Sequence, residues 1–194
     1  MIIGNQTRWW NRRVPILRIC AVLGIALFGF LVWVFYGEFF QNIAWDLRYH
    51  RTASFRGQSL QVPWFWREEV WTRYSEFELT RNHLLPNRLL PIFPTSVTVS
   101  YEKLTPADLQ KEIDGMYALD AKLSHHSGDY FDHDAAIDSH FICTDRGSSR
   151  SEFEWITCFS RDGRWSVWMI GLKQDRADFA AILRGVDAMG TPSK

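Results

Sequence analysis

The chain has no excess of charge of either sign: 22 Lys and Arg stand against 22 Asp and Glu in 194 residues. That balance excludes the basic footprint with which nucleic-acid binders engage phosphates, so no nucleic-acid partner is expected. Cysteine is scarce, three in all, which excludes a disulfide-dense small scaffold. The common catalytic signatures are missing: there is no G-x-x-x-x-G-K-[ST], G-x-G-x-x-G, H-E-x-x-H, C-x-x-C or G-x-S-x-G. Internal repeats and low-complexity tracts are also missing. A content of 46% apolar and 23% charged residues excludes global disorder.

What the chain does have is tryptophan, ten residues, and one long apolar run from Ile19 to Tyr36 without a charge. Eighteen residues at ~1.5 Å each span roughly 27 Å as a helix, close to the hydrocarbon thickness of a bilayer. Eleven of the eighteen are Leu, Ile, Val or Phe, favouring insertion by roughly 3–7 kcal/mol in total. Starting the span at Val14 leaves Arg18 near its end, free to snorkel. Trp9 and Trp10 on one side, and Tyr36, Phe39, Phe40 and Trp45 on the other, suit the two interfacial belts. A cleaved signal peptide needs a shorter apolar core and small residues before the cut, whereas Val34-Phe35-Tyr36-Gly37-Glu38 is bulky. The reading is therefore an uncleaved signal anchor over residues 14–37, with the lipid bilayer as its partner.

Arg8, Arg12, Arg13 and Arg18 precede or open the run, while Glu38, Asp46, Arg48 and Arg51 cancel after it. The positive-inside rule then makes residues 1–13 a cytoplasmic tail and puts the rest outside, in a bacterial inner membrane with a periplasmic domain. Residues 38–54 keep a helical period through Phe39, Phe40, Ile43, Ala44 and Leu47, an amphipathic juxtamembrane stalk. Residues 55–194 form the exterior domain. From Ala53 onward 16 Lys or Arg face 20 Asp or Glu, a net charge of −4, so no polybasic lipid-binding patch is expected.

Six strands are predicted in that domain: Ser59–Val62, Ser75–Arg81, a period-two stretch through Val97, Val99 and Tyr101, then Ile137–Asp145, Glu152–Ser160 and Arg164–Leu172. Asp162-Gly163 is a strong two-residue hairpin signal. It pairs positions that sum to 325, setting Trp155 against Ile170, Thr157 against Trp168 and Phe153 against Leu172. Both faces of that hairpin are apolar, so the sheet should be covered on both sides, and Trp155, Trp165 and Trp168 should be core. Two helices can supply the cover. One opens at Thr105-Pro106-Ala107-Asp108 and carries Leu109, Ile113, Met116, Leu119 and Leu123. The other opens at Asp175 and carries Phe179, Ile182, Leu183 and Val186. Before the strand at Val97, Leu84–Pro94 holds Pro86, Pro91 and Pro94 and reads as a loop or extended linker inside the domain. The fold class is α/β in the α+β sense: an antiparallel sheet of about six strands with helices on both faces.

From about Phe55 to Met189 the order of elements resembles the PsbP-like superfamily of α/β/α sandwiches. The features that carry it are Ser59-Leu60-Gln61-Val62-Pro63-Trp64, the strand at Val97 leading into the capped helix at Thr105, three antiparallel strands, and the closing Phe179-Ala180-Ala181-Ile182-Leu183 helix. The chain departs from the pattern at Trp64-Phe65, where the family has Gly before Trp, and in its long Pro-rich insertion. The resemblance implies a non-enzymatic assembly factor or binding module and transfers no catalytic residue.

Three groups remain as candidate sites. Trp64, Trp66 and Trp71 follow the first predicted strand and offer a partner surface or an interfacial contact, the alternative being packing beneath the sheet edge. His125, His126, Asp129 and His133 lie in a stretch that also holds Asp132, Asp134, Asp138 and His140. Imidazole and carboxylate are ligands for zinc-like ions, but the spacing matches no known site. A solvated loop is the simpler reading. Cys143 and Cys158 lie on neighbouring strands in a compartment that permits disulfides. A symmetric Arg146–Ser151 loop puts them four residues out of register, so two free thiols are expected, whereas a shifted loop permits the bond. The function read from all this is a non-catalytic binding or assembly module without a required cofactor, for an envelope protein or a small ligand. The alternative is a divalent-metal hydrolase built on the His/Asp loop.

Overall fold

In the computed structural model, residues 6–55, 57–69, 76–81, 94–123, 128–133 and 135–189 are described. Helix α1 covers Gln6–Tyr49. The chain divides into two compact units, Met1–Phe40 and Gln41–Lys194. In the first, Ile16–Val34 is a 19-residue stretch with a mean hydropathy of 2.4 and none of its surface buried. By length and composition it is sufficient to cross a membrane.

The second unit opens with the last turns of α1. Here the apolar period gives the wrong contact face. Leu47 is exposed, while Asn42 and Asp46, one turn apart, are buried. They clamp the backbone of one residue on both sides: Asn42 Nδ2 donates to the Phe65 carbonyl at 2.7 Å, and the Phe65 amide donates to Asp46 Oδ2 at 2.8 Å. Phe65 holds a left-handed φ of 69°, a conformation that costs a non-glycine residue about 1 kcal/mol and persists because the peptides on both sides of it are tied.

A two-stranded hairpin follows, β1 (Thr52–Phe55) with β2 (Gln58–Gln61). The main sheet has seven strands: β3 (Trp66–Glu68), β4 (Glu76–Arg81), β5 (Thr95–Tyr101), β6 (Asp129–Asp132), β7 (Phe141–Ser148), β8 (Phe153–Ser160) and β9 (Trp165–Leu172). Their order is β3-β4-β5-β9-β8-β7-β6, every pair antiparallel. Five of the predicted strands lie in this sheet, as β4, β5, β7, β8 and β9, whereas the predicted Ser59–Val62 corresponds to β2 and pairs with β1 in the separate hairpin. Strand β7 begins at Phe141, four residues after the predicted start at Ile137. The short β1, β3 and β6 were not predicted.

Chain order explains the layering. Strand β5 lies mid-sheet and β6 at an edge, so the connection between them, α2 (Pro106–Leu123), crosses the sheet. Its start is the expected capping box: the Asp108 amide donates to Thr105 Oγ1 at 3.2 Å, and that hydroxyl donates to Asp108 Oδ2 at 2.6 Å. Leu109 and Ile113 pack on Phe159 with Ile142 beside them. Farther along, Leu119 is 52% exposed, because the stripe runs past the apolar part of the sheet.

Helix α3 (Arg176–Ala188) packs on the sheet through Phe179, Ile182, Leu183 and Val186, each 0% exposed. They join Phe77, Leu79, Val97, Ile156, Trp165 and Met169 in one core, at about 1.5–3 kcal/mol for each large side chain buried. Hairpin β1–β2 adds Leu60, whose methyl fills the space a side chain would need at Gly185.

Candidate functional site

The β8–β9 register is the one predicted, with Trp155 opposite Ile170, Thr157 opposite Trp168 and Phe153 opposite Leu172. The expected burial differs. Trp165 is 1% exposed, but Trp155, Trp168 and Ile170 are 40%, 42% and 45% exposed. They point away from α3, and on the next strand, β5, the cross-strand neighbours of Ile170 and Trp168 are Ser96 and Thr98. Small hydroxyl residues beside large apolar ones leave the rings uncovered. The expectation that all three tryptophans are core is therefore corrected for Trp155 and Trp168. The result is an exposed apolar stripe across the central strands, bordered by Leu119 of α2.

The stripe has a polar margin. The Arg146 guanidinium sits 4.3 Å above the Trp155 ring, and its Nη1 lies 3.9 Å from Asp120 Oδ1 of α2. A recess of about 50 Å³ opens between Met116, Asp120, Thr144 and Trp155. Farther along α2 a groove of about 520 Å³ lies between Gln110, Ile113 and Tyr117 of the helix and Phe141, Ile142 and Arg161. Arg161 Nε donates to the Ser139 carbonyl at 3.0 Å. Apolar walls with a few polar atoms are the ordinary character of a recognition surface.

On the α3 face, a polar row crosses the sheet. Reading the cross-strand partners gives Tyr130, Gly147, Glu154, Gly171, Thr95, Arg81 and Trp66. Two glycines flank Glu154 for a steric reason. A Cβ at Gly147 would meet the Tyr130 phenol, and one at Gly171 would meet Thr95. The turn Lys173–Asp175 and the start of α3 close over the row. Thr95 Oγ1 donates to Asp175 and accepts from the Leu172 amide at 3.2 Å. Arg81 reaches Asp175 at 3.2 Å and also Asp178, and Trp66 Nε1 donates to Asp178 at 3.1 Å. Asp175 is thus buried and engaged with the sheet and makes no side-chain cap bond to α3, although its position is the helix N-cap.

Arg176 Nη1 lies 2.6 Å from Asp145 Oδ2 and 3.5 Å from Glu154 Oε2. Both carboxylates are about 3% exposed, and Asp145 Oδ1 and Glu154 Oε1 are buried with no hydrogen-bond partner. Burial, then the Asp145 charge, pushes the Glu154 carboxyl up to about 7, against the pull of Arg176 and Lys173. Burial also raises Asp145, partly offset by Arg176. This row was missed in the sequence because charged residues in strands ordinarily mark the solvent face.

The predicted site residues separate. Trp66 is 0% exposed in the core, whereas Trp64 is 53% exposed with the Arg51 guanidinium 4.7 Å above its ring. Trp71 lies outside the described residues, as do His125 and His126. Asp129 begins β6 and is exposed. The His133 ring packs at 4.4 Å on Tyr117, with Nδ1 3.8 Å from Asp120 Oδ2. Among the described residues no group of three His, Cys, Asp or Glu side chains is placed to hold a metal ion. His140 Nδ1 is 2.5 Å from Asp187 Oδ2 of α3, and that bond raises its pKa.

Cys143 and Cys158 are joined in a disulfide, which corrects the expectation of two free thiols. Strand β7 continues to Ser148, the connection shrinks to four residues, and Cys143 stands directly opposite Cys158. Compared with known families and characterised proteins, the chain matches no family model and no curated relative.

Proposed function

We propose that the chain is a membrane-anchored, non-catalytic binding or assembly module. Ile16–Val34 is its single anchor, its N-terminus is cytoplasmic, and its domain faces the periplasmic side of a bacterial inner membrane. The observation that carries the binding reading is the exposed Trp155–Trp168–Ile170 stripe, with a recess of about 50 Å³ at Trp155; a separate groove of about 520 Å³ lies along α2. Large apolar side chains massed on one face, rimmed by Arg146 and Asp120, are the make-up of a partner surface. The partner is an envelope protein on the stripe or a small ligand in the groove. Arg8, Arg12 and Arg13 before the span, with Arg18 in its first turn, support the orientation, and the resemblance to PsbP-like sandwiches supports an assembly role.

Site-specific photo-crosslinking in native membranes tests the reading. A benzophenone side chain at position 168 or 170 should give a discrete protein adduct. The same probe at exposed Asp162 should not, and Trp155→Asp should abolish the adduct at 168. No adduct from any stripe position in correctly folded, membrane-bound protein would remove the stripe as a partner surface.

A further inference from the structure

Helix α3 is fastened at both ends through groups whose protons matter. At its N-terminal end a single guanidinium, Arg176, serves two buried carboxylates, Asp145 and Glu154, and each carboxylate keeps one buried oxygen without a partner. Groups facing Glu154 come from every element around it: Asp145 from β7, Tyr130 from β6, Lys173 and Asp175 from the turn before α3, and Arg176 from α3. Arg81, the other arginine of the row, is engaged with Asp175 and Asp178. Lys173 Nζ is tied to the Ser148 carbonyl at 2.9 Å. Two buried negative charges against one half-exposed arginine are a poor arrangement, and a proton on one of them relieves it. At the C-terminal end Asp187 of α3 is bonded to His140, which is also faced by Asp138 of its own loop. That contact is a charged pair only when His140 is protonated.

We propose that α3 is a proton-controlled clasp. Protonated Glu154 beside the Asp145–Arg176 pair, and imidazolium His140 on Asp187, fasten the two ends of the helix to the sheet and to the loop before β7, and loss of these protons loosens those ends. Both contacts act with one sign. Glu154 binds its proton more tightly in the folded chain than in the unfolded one, so its contribution is full below about 4.5 and is lost as pH rises through about 7. His140, also raised, contributes fully below 6.5 and loses its contribution as pH rises through its folded pKa. Alkalinisation therefore loosens both ends of α3 together.

Hydrogen–deuterium exchange on the full-length protein in nanodiscs, corrected for intrinsic exchange rates, tests this between pH 5.5 and 8.5. Protection of residues 176–188 should fall by ~10-fold or more relative to β5. Glu154→Gln should flatten the fall at the N-terminal end of α3, and His140→Ala, an exposed change, at the C-terminal end. Should Glu154→Gln fail to fold, Asp145→Asn serves instead, because removing the like charge that raises Glu154 moves the N-terminal transition to lower pH. A protection ratio that does not change with pH, or that changes alike in wild type and in the folded variants, overturns the proposal.

Discussion

Gly171→Ala is the most severe single-methyl change the structure allows. The new Cβ falls on the Thr95 side chain, well inside van der Waals contact with Cγ2 and Oγ1. Thr95 cannot swing aside freely, because its hydroxyl donates to buried Asp175 and accepts the Leu172 amide. Overpacking costs about 1–3 kcal/mol. Detaching the hydroxyl from a buried carboxylate adds about 1.5–3 kcal/mol. A loss of about 3–5 kcal/mol is therefore expected in urea unfolding of the detergent-solubilised protein, followed by far-ultraviolet circular dichroism. Gly115→Ala is the control: a Cβ there meets nothing within 4 Å, and the site lies inside α2, so it should gain about 0.5–1 kcal/mol. A double-mutant cycle separates the two terms. In a Thr95→Val background, which has already lost the hydroxyl, Gly171→Ala should cost about 1.5 kcal/mol less. If Gly171→Ala costs under 1 kcal/mol, or its cost is the same in both backgrounds, the tight polar row is not as described.

Other expectations follow from the same geometry. Stability should fall from pH 5 to pH 8, by up to about 3 kcal/mol from Glu154 alone. Thermal melts across that range check it, and a melting point that rises with pH would contradict it. Reduction of Cys143–Cys158, which closes a loop of 15 residues, should lower stability by about 3 kcal/mol, read as the difference between urea midpoints with and without reductant. Trp168→Ala should change stability by no more than about 1 kcal/mol because the ring is 42% exposed, yet it should weaken crosslinking of the open face. Zinc or EDTA should leave the melting temperature unmoved, and a shift abolished by His133→Ala would revive the metal reading.

The parts legible in sequence were those with a local cause. Asp162-Gly163 marks the β8–β9 turn: the connection spans the four residues 161–164 rather than two, but it is centred on that pair, so the register is as expected, and Gly163 supplies a left-handed φ of 71°. Thr105-Pro106-Ala107-Asp108 marks the start of α2 through bonds within four residues. The β7–β8 register had no such cause. Ser149-Arg150-Ser151-Glu152 carries no turn signature, and a symmetric guess slipped by four residues, carrying the two cysteines apart. Burial was misjudged in both directions for one reason: it depends on which helix arrives from elsewhere. Glu154 and Asp145 look like surface residues until Arg176 reaches them from α3. Trp155 and Trp168 look like core until α2 is seen to cover the neighbouring strands. At Asn42 and Asp46 the polar residues turn inward because Phe65, some twenty residues later, brings a backbone amide that needs an acceptor and a carbonyl that needs a donor.

The most direct test of an anchored module on the far side of the membrane is topology in intact cells. With a C-terminal tag, the intact chain should stay with membranes through carbonate washing, and protease added to spheroplasts should remove the tag. Recovery of the intact chain in the soluble fraction without detergent, or digestion of the domain only after the cytosolic side is opened, would contradict it.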